Sequence, residues 1–515
     1  MMVLSGICLT FAAQSRQMVI IKTNVDKMRT LMLATLMLAA CHGMMAEPAD
    51  TLALRLGDAV RLAQRQSPSA QEARSAFLSA YWNYRYYEAN YLPSVTLTSA
   101  PYVNKQTNKI TQSDGTALFL QQDQFGADLT LKVNQNVSLT GGSFFVKSSI
   151  NRLDELQNHT TAYSSQPLTV GYEQRLGGYN SLKWDRRIEP LRYREAKKRY
   201  AETLEIVAAT ACKRFFTLAS AQAELDMARQ NFASADTLYR MAQGRYEIGT
   251  ITENEMLQLE INRLNEETNV MDAEINLQEV MQSLRSFLGV EQTAQLKFIV
   301  PDSVPQMEVP LERAMELALD NSPDPDYYQR MRRESESSLA KAKAEAGFKA
   351  DLYAQFGLSQ TGQDVGSAYR HLMNQEYASV SVSLPILDWG RGRGRVKVAR
   401  SQLALANTQA EQGMDDFCQN VRKLVLQFNM QARKVRIAAL TDQRAEQRHS
   451  VAKRLYVMGR SSILDLNAAV SEKNTARRGR ISALQTYWTL FYTLRSITSY
   501  DFEHGRLITE ELPVK

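Results

Sequence analysis

A long row of apolar residues with a mean spacing of 3.5 positions is the feature that most restricts how this chain can fold. Twelve steps cover the 42 residues from Leu204 to Tyr246. That period is typical of a left-handed coiled coil rather than of a free helix. From residue 187 to 245 such a helix would be about 90 Å long, at about 1.5 Å per residue, which is more than a compact domain can hold. The row consists of Leu204, Val207, Ala211, Phe215, Leu218, Ala221, Leu225, Ala228, Phe232, Ala235, Tyr239, Ala242 and Tyr246.

The same row occurs again 210 residues further along, from Met414 to Tyr456, where ten of the thirteen equivalent positions are apolar. The three exceptions are Gln431, Asp442 and His449. These polar side chains either face a water-filled lumen or lie in a hydrated seam between loosely packed helices. The sequence leaves both interpretations open.

Each row ends in Tyr-x-x-Gly, and a helix-restarting motif follows at once. A glycine at that position predicts a left-handed turn that ends the helix, and Ser/Thr-x-x-Asp/Glu predicts a capping box that starts the next one. Each half of the chain should therefore contain a long antiparallel hairpin with a tight tip. The predicted tip residues are Gly249, Thr252 and Glu255 in the first hairpin, and Gly459, Ser462 and Asp465 in the second.

A second internal match confirms that the chain is duplicated. Residues 56–68 align with residues 311–323 at an offset of 255, with six identical positions. The two offsets differ by 45 residues, which the first half carries and the second lacks. Two copies are too few for a solenoid, so the halves should lie side by side.

Alternating apolar and polar residues predict strands in both halves. The clearest alternation covers residues 129–139 and 379–384, and weaker alternation covers 95–97, 144–150, 168–172 and 352–358. The first of these has about the 9 to 11 residues that a membrane-spanning strand needs. Thr140, Gly141 and Gly142 predict a turn, so the 45 extra residues are interpreted as a hairpin of strands near 128–139 and 143–151. The polar stretches 103–126, 153–166 and 359–376 are interpreted as loops.

Residues 1–46 have the pattern of a secretory leader, with a basic start followed by an apolar core at residues 31–40. Either Met1 or Met18 could be the start. Two processing routes stay open, namely lipidation of Cys41 after Leu38-Ala39-Ala40 or cleavage after Ala46. The only other cysteines beyond the leader are Cys212 and Cys418, which are too few for a disulfide framework.

Charge and motif content exclude several classes of function. Beyond residue 46 the chain has 57 basic and 54 acidic groups, interspersed along helices, so no nucleic-acid surface is predicted. The segment Gly390-Arg-Gly392-Arg-Gly394 lacks the glycine spacing and the alternating strands and helices of a phosphate-binding loop. No metal-ligand spacing or nucleophile motif is present, so neither a cofactor nor catalysis is expected.

These features together resemble the TolC family of outer-membrane efflux and type I secretion channels, over nearly all of residues 50–500. Tyr91-Leu-Pro93 resembles the family's helix-to-strand connection, and Leu384-Pro-Ile-Leu-Asp388-Trp-Gly390 resembles its strand-to-helix connection. The resemblance implies a mainly α fold with a smaller β part, in which duplicated coiled-coil hairpins adjoin strands of a trimeric transmembrane β-barrel. That barrel usually has twelve strands, so the extra hairpin would either join the barrel or project from it.

The predicted organisation is a leader over residues 1–46, a first repeat over 50–290, a linker over 291–310, a second repeat over 311–500 and a tail over 501–515. Strands are expected at about 94–175 in the first repeat and 351–387 in the second.

By resemblance, the second tip would form the periplasmic aperture of the channel. Tyr456 would match a gate tyrosine, and Asp465 an aspartate of a charged ring, although Asp465 at this spacing from Ser462 is also a helix cap. Two departures affect how the closed state would be latched, because Ala468 and Ser461 replace the relatives' second aspartate and their arginine.

The resemblance also implies the partners. A homotrimer in the outer membrane of a Gram-negative bacterium, in contact with outer-membrane lipid, would extend helices into the periplasm. There it would meet a membrane-fusion adaptor and an inner-membrane pump or ABC transporter. The expected adaptor contacts are Thr250, Ile251, Arg460 and Ser461. The alternative is a periplasmic coiled-coil adaptor or scaffold lipoprotein without a pore, which does not explain two-faced strands at the same place in both halves. The transported substrate is not readable, and efflux and protein secretion both stay open.

Overall fold

A computed structural model describes residues 52–290, 296–299, 301 and 304–508 of the chain. The predicted leader with Cys41 and the last part of the predicted tail, residues 509–515, lie outside the described residues. The chain divides into two units. The smaller unit contains strands β1 (Leu52–Arg55) and β7 (Leu296–Ile299), which pair in parallel. Residues 296–299 of the predicted linker thus form a strand, which the sequence did not indicate because four residues are too few to show alternation.

The larger unit is mainly helical. Two of its helices are 67 residues long, so each extends about 100 Å at about 1.5 Å per residue. Among the described residues no helix is both long enough and apolar enough to cross a membrane. The helices are α1 (Leu56–Gln66), α2 (Pro68–Ala89), α3 (Ser181–Glu247), α4 (Glu253–Leu288), α5 (Leu311–Asn321), α6 (Pro323–Ala346), α7 (Arg391–Val457) and α8 (Ile463–Thr498).

The helices form two hairpins that pack side by side. Helix α3 packs on α4, α7 packs on α8, and α3 also packs on α8. The resulting order across the layer is α4, α3, α8, α7, so α4 and α7 form its two edges. The shorter helices α2 and α6 both pack on α3, and α6 also packs on α7.

Most of the predicted heptad row forms the core of the first hairpin, whereas Tyr246 at its end is 41% exposed. Phe215, Leu218 and Ala221 are at most 3% exposed. Burying such a row along α3 supplies the apolar contact area that an isolated helix of this length lacks. Both cysteines of this part of the chain are free thiols on helices, with Cys212 buried in α3 and Cys418 partly buried in α7.

All long strands belong to one antiparallel sheet. Its order is β2, β4, β5, β6, β8, β9, and β3 pairs with β4 beyond the end of β2. A short hairpin, β10 (Tyr500–Asp501) with β11 (Arg506–Leu507), follows α8. The sheet strands are β2 (Ser94–Ser99), β3 (Tyr102–Thr111), β4 (Ala117–Val137), β5 (Gly142–Glu155), β6 (Thr160–Leu176), β8 (Lys349–Gly362) and β9 (Met373–Ser383).

Two of the three stretches that were predicted as loops, residues 103–126 and 153–166, are largely strand, and for them the prediction was wrong, whereas residues 363–372 of the third stretch connect β8 and β9 outside any strand. Residues 103–126 form most of the β3–β4 hairpin, 153–166 continue β5 and β6, and 359–376 contribute to β8 and β9 around one short 3-10 turn, Ser367–Tyr369. Polar residues predominate in these stretches and their apolar residues do not alternate regularly, so they lack the pattern from which a half-buried strand is recognised.

Candidate functional site

The first hairpin tip has the backbone that the sequence predicts. Gly249 ends α3 with a φ of +73°, a left-handed conformation that favours glycine. The Thr250 N–H donates to the Arg245 carbonyl at 2.9 Å, which completes a Schellman-type turn. The Thr252 hydroxyl accepts from the Glu255 N–H at 3.3 Å, and the Glu255 carboxylate accepts from the Thr252 N–H at 3.1 Å. This reciprocal pair is a capping box that starts α4.

The second tip repeats this design. Gly459 has a φ of +71°, and the Arg460 N–H donates to the Leu455 carbonyl at 2.9 Å. Ser462 and Asp465 form the capping box of α8. A Cβ at Gly249 or Gly459 would meet no atom within 4 Å, so glycine is needed at both tips for its φ and not for space.

Asp465 is the cap of α8 and also an exposed negative charge at the tip. Its carboxylate accepts from the hydroxyls of Ser462 at 2.9 Å and Ser461 at 3.2 Å, and its own N–H donates to the Ser462 hydroxyl at 3.2 Å. These hydrogen bonds, led by the one from the Ser462 side chain, hold the pKa of Asp465 below its ordinary value. The carboxylate therefore stays ionised at neutral pH and faces solvent.

Tyr456 lies where the two tips meet. An apolar cluster formed by Leu238, Ala242, Leu259 and Leu466 draws residues from both hairpins, and Tyr456 packs against it. Burial raises the pKa of the Tyr456 phenol, which therefore stays neutral. The aromatic ring is thus part of the contact between the two tips.

The four residues expected to meet an adaptor are not alike in the structure. Thr250 and Arg460 are exposed, whereas Ile251 packs against the tip cluster and Ser461 is partly buried. Of these four residues, Thr250 and Arg460 are therefore the more accessible ones.

Polar contacts between the hairpins were missing from the sequence-based description. The Arg245 guanidinium donates to the Val457 carbonyl at 3.0 Å, and the Lys453 ammonium donates to the Ser234 hydroxyl at 3.2 Å. Each contact joins residues more than 200 positions apart, and no short motif marks such pairs.

The three polar residues of the second heptad row lie in the seam between helices. Gln431 is 5% exposed and donates to the Ala483 carbonyl at 3.0 Å. Asp442 is 4% exposed and pairs with Arg477 at 3.2 Å and Arg480 at 3.3 Å. Their partners belong to α8, so Gln431 and Asp442 link α7 to α8 within the seam between these two helices.

The sheet has one apolar and one polar face. Strand register places Val95, Val133, Val146, Val170 and Phe356 in one row across five strands, and Glu376 of β9 ends this row. Val95 is 65% exposed and Phe356 52% exposed, so this apolar face is open to its surroundings. An exposed apolar band of this kind marks a membrane or protein contact.

The neighbouring row, shifted by one residue on each strand, lies on the opposite face of the sheet and is polar. It contains Thr96, Lys132, Lys147, Thr169, Gly357 and Gln375. Apolar and polar rows on opposite faces are typical of strands that separate lipid from a water-filled lumen.

The glycine-rich start of α7 binds a carboxylate of its own chain. Asp388 accepts from the N–H of Gly390 at 2.9 Å and from that of Gly392 at 2.7 Å. The N–H groups that could hold a phosphate are thus occupied, in agreement with the sequence analysis. Asp388 was noted only as part of the strand-to-helix connection, and its capping role shows in the structure.

Paired helical tips, a duplicated coiled coil and a two-faced antiparallel sheet define an outer-membrane channel protomer. The family model for outer membrane efflux proteins matches residues 59–290 and 316–498, and the chain belongs to that family. Proteins of this family are transport channels rather than enzymes. No curated protein is similar enough in sequence to match it.

Solved structures share the fold. The Campylobacter jejuni CmeC outer membrane channel is 14% identical with a TM-score of 0.63, and the match covers 89% of this chain and 87% of that one. The outer membrane protein VceC of Vibrio cholerae is 13% identical with a TM-score of 0.60, covering 87% and 96%. A membrane protein from Pseudomonas aeruginosa is 15% identical with a TM-score of 0.62, covering 90% and 94%.

The chain is therefore a protomer of an outer-membrane channel-tunnel for efflux. The alternative of a periplasmic scaffold without a pore is not favoured, because such a scaffold has no use for a sheet with one apolar and one polar face.

Proposed function

We propose that three copies of this chain close around a common axis and form a duct that crosses the outer membrane and continues through the periplasm of a Gram-negative bacterium. The observation that carries this proposal is that the two edges of the helical layer, α4 and α7, bear matching apolar stripes that no other described part of the chain covers. The number three comes from the family.

The stripe on α4 has heptad spacing and lies open. Its residues are between 45% and 59% exposed. They are Leu257, Ile261, Leu264, Met271 and Ile275. A repeat of this kind on the surface of a long helix predicts a further helix packed against it.

The stripe on α7 has the same character. Its members are Leu426, Met430, Ile437, Leu440, Val451 and Leu455, which are 37% to 64% exposed. Next to it a groove of about 1170 Å³ runs between α7 and α8. Small residues such as Ala476, Gly479 and Ala483 line its α8 side, which allows a helix to approach closely.

The two stripes fit each other in one antiparallel register. Setting Leu257 of one copy against Leu455 of the next also brings Ile261 to Val451 and Ile275 to Ile437, because each pair of numbers adds to 712. The same register brings Met271 within one position of Leu440.

Charge favours the same contact. Helix α4 carries eight acidic and two basic residues, whereas Lys434, Arg444 and Arg448 line the groove. Opposite charges across an interface steer the partners and fix their register.

The sheet can close in the same way. Strands β2 and β9 form its edges and run in opposite directions, so β9 of one copy can pair antiparallel with β2 of the next. Closure removes both open edges, which would otherwise be exposed in a bilayer.

At the other end, the exposed tips would meet a membrane-fusion adaptor through Thr250 and Arg460, supported by Ile251 and Ser461. An inner-membrane pump or ABC transporter would deliver the substrate and the energy, as the family resemblance implies. The duct itself would conduct what the pump delivers.

The assembly is tested with Ile275→Asp on the α4 stripe and Gly479→Trp in the groove. A Cβ at Gly479 meets no atom within 4 Å in the single chain, so the larger side chain can be accommodated until a neighbour docks. Both variants should lose the trimer in cross-linking and mass measurements of detergent-extracted protein, and both should lose pore formation in planar bilayers.

Met241→Asp is the matched control, because Met241 is 39% exposed on α3, in the middle of the helical layer. It should still form trimers. Wild-type protein that is monomeric and soluble without detergent would refute the proposal.

We further propose that Tyr456 and Asp465 form the aperture, with three copies of Asp465 making a charged ring. Asp465→Ala should lower cation selectivity or cation block in single-channel recordings. Ser462→Ala weakens the cap but keeps the carboxylate, so its selectivity should stay near that of wild type. Unchanged selectivity in Asp465→Ala would remove the ring role and leave the cap.

A further inference from the structure

Each chain contributes six strand positions to the sheet. Strands β2 and β3 pair with successive parts of β4, β2 with residues 129–134 and β3 with residues 117–126, so they occupy one position. The other five positions are β4, β5, β6, β8 and β9. The first repeat supplies four of the six positions and the second repeat supplies two.

The extra hairpin of the first repeat is an internal part of this sheet. Strand β5 pairs with β4 from Gly142 to Glu155 and with β6 from Ser143 to Glu155. A hairpin that projected from the sheet would break one of these two ladders. Removing it therefore means removing two strand positions from the middle.

The faces of the hairpin continue those of the whole sheet. Leu129, Leu131 and Val133 of β4 lie on the apolar face, together with Val146 and Ile150 of β5. The hairpin therefore presents the same apolar band as β8 and β9, whose Val380 and Val382 are 62% and 61% exposed.

The opposite, polar face of the hairpin would face the lumen of a closed barrel and leaves room for it. Phe145 is the large aromatic residue there, and it is 1% exposed because its ring packs against Gly171 of β6, Tyr353 of β8 and Lys132 of β4. A Cβ at Gly171 would lie 2.3 Å from the Phe145 ring, so glycine makes room for the aromatic side chain within the wall. The Phe145 side chain thus packs within the wall of the sheet and does not extend into the lumen.

We propose that three copies close a barrel of eighteen strands, six from each, and that this barrel passes solutes too large for a twelve-stranded one. The inference rests on the proposed trimeric channel. Six is an even number, so every neighbouring pair, including those between copies, is antiparallel.

Strand number sets the width of the pore. With strands about 4.8 Å apart and tilted by about 40°, the backbone radius is about 12 Å for twelve strands and about 18 Å for eighteen. Side chains take up about 5 Å, half the usual spacing between packed sheets, which leaves open radii of about 7 Å and about 13 Å. The wider barrel belongs to the size class with an aqueous channel.

A deletion of residues 117–159 tests the width. It joins the end of β3 to β6, which runs in the direction of the removed β4, and leaves four positions per chain. Poly(ethylene glycol) of graded size is added on the barrel side of single channels in planar bilayers. Wild-type conductance should respond to polymers up to about 13 Å in radius, and the deletion variant only up to about 7 Å. Equal cut-offs near 7 Å would overturn the inference.

Point variants decide the question if the deletion variant does not assemble. In a Cys418→Ser background, Val146→Cys and Val380→Cys should both resist a water-soluble maleimide in membranes, whereas Lys147→Cys and Ser381→Cys should react through the lumen. A projecting hairpin would instead make Val146→Cys react as fast as Lys147→Cys while Val380→Cys stays protected. That result would overturn the wide barrel and leave the channel proposal intact, whereas wild-type protein without any pore would refute the channel itself.

Discussion

The two helical hairpins end in tips of one backbone design, but different interactions hold their seams together. At the tips, glycine φ values, turn hydrogen bonds and capping boxes agree almost residue for residue. In the seams, Phe232 and Tyr239 of the first hairpin correspond to Asp442 and His449 of the second. The tip must reverse a helix within a few residues, which allows few solutions, whereas a seam needs only complementary neighbours. The duplication has therefore kept the turn and changed the contacts.

The largest difference in stability effect between the two seams should come from substituting Asp442. Asp442→Ala removes the buried carboxylate that pairs with Arg477 and Arg480, and because both arginines are partly exposed the expected loss in free energy of unfolding is about 2 kcal/mol. Urea titration of helix content measures it. The loss should shrink in high salt, since salt weakens the native ion pair as well.

Phe232→Ala is the matched change in the first hairpin. It removes no charge, so its cost should not depend on salt. Equal salt dependence in the two variants would contradict the distinction between an apolar and a polar seam.

The shared tip design predicts equal effects in the two hairpins. Gly249→Ala and Gly459→Ala should each lose about 1 kcal/mol, because an alanine in the left-handed region is strained and nothing else changes around it. Thermal melting followed by circular dichroism can compare the two. Gly244→Ala, inside α3 and also in open space, should instead gain up to about 1 kcal/mol. A loss at only one tip would show that the tips are not equivalent.

The smallest expected difference between the two hairpins is in how their stability responds to acid. Burial, with a contribution from nearby Lys473, lowers the pKa of His449 from its ordinary 6.5, and Lys453 acts in the same direction against Glu446. Below about pH 6.5 the unfolded chain binds a proton before the folded chain does, so stability is lost as pH falls until His449 is protonated in the folded state too. The first hairpin has Tyr239 at this position and no such response.

His449→Gln should flatten the stability profile between pH 7 and pH 5, as measured by urea titration at each pH. An unchanged slope would assign the acid response to other groups.

The sequence was sufficient for the parts of the fold that repeat a local pattern. The seam from Leu204 to Tyr246 follows from its 3.5-residue period, and both tips follow from glycine and capping motifs within seven residues. Strand segments such as residues 129–133 were predicted because apolar and polar side chains alternate along them.

The rest depends on contacts that leave no local pattern. The β3–β4 hairpin is mostly polar and its apolar residues 117–120 follow one another directly, so no alternation marked it as strand. The hydrogen bond from Arg245 to Val457 joins residues from different repeats, and only their three-dimensional arrangement brings them together. The capping role of Asp388 was missed because the motif lies before the helix on a turn with two residues at positive φ, Trp389 and Gly390. The roles of Tyr456 and Asp465 at the aperture stay predictions.

Electron cryomicroscopy of the detergent-extracted protein tests the central claim most directly. The account predicts three copies around one axis, with α4 of each copy packed against α7 of the next so that Leu257 lies against Leu455 and Ile275 against Ile437. Twelve helices should surround one continuous lumen below a closed barrel. A monomer, or a trimer in which the α4 and α7 stripes stay exposed to solvent, would contradict it.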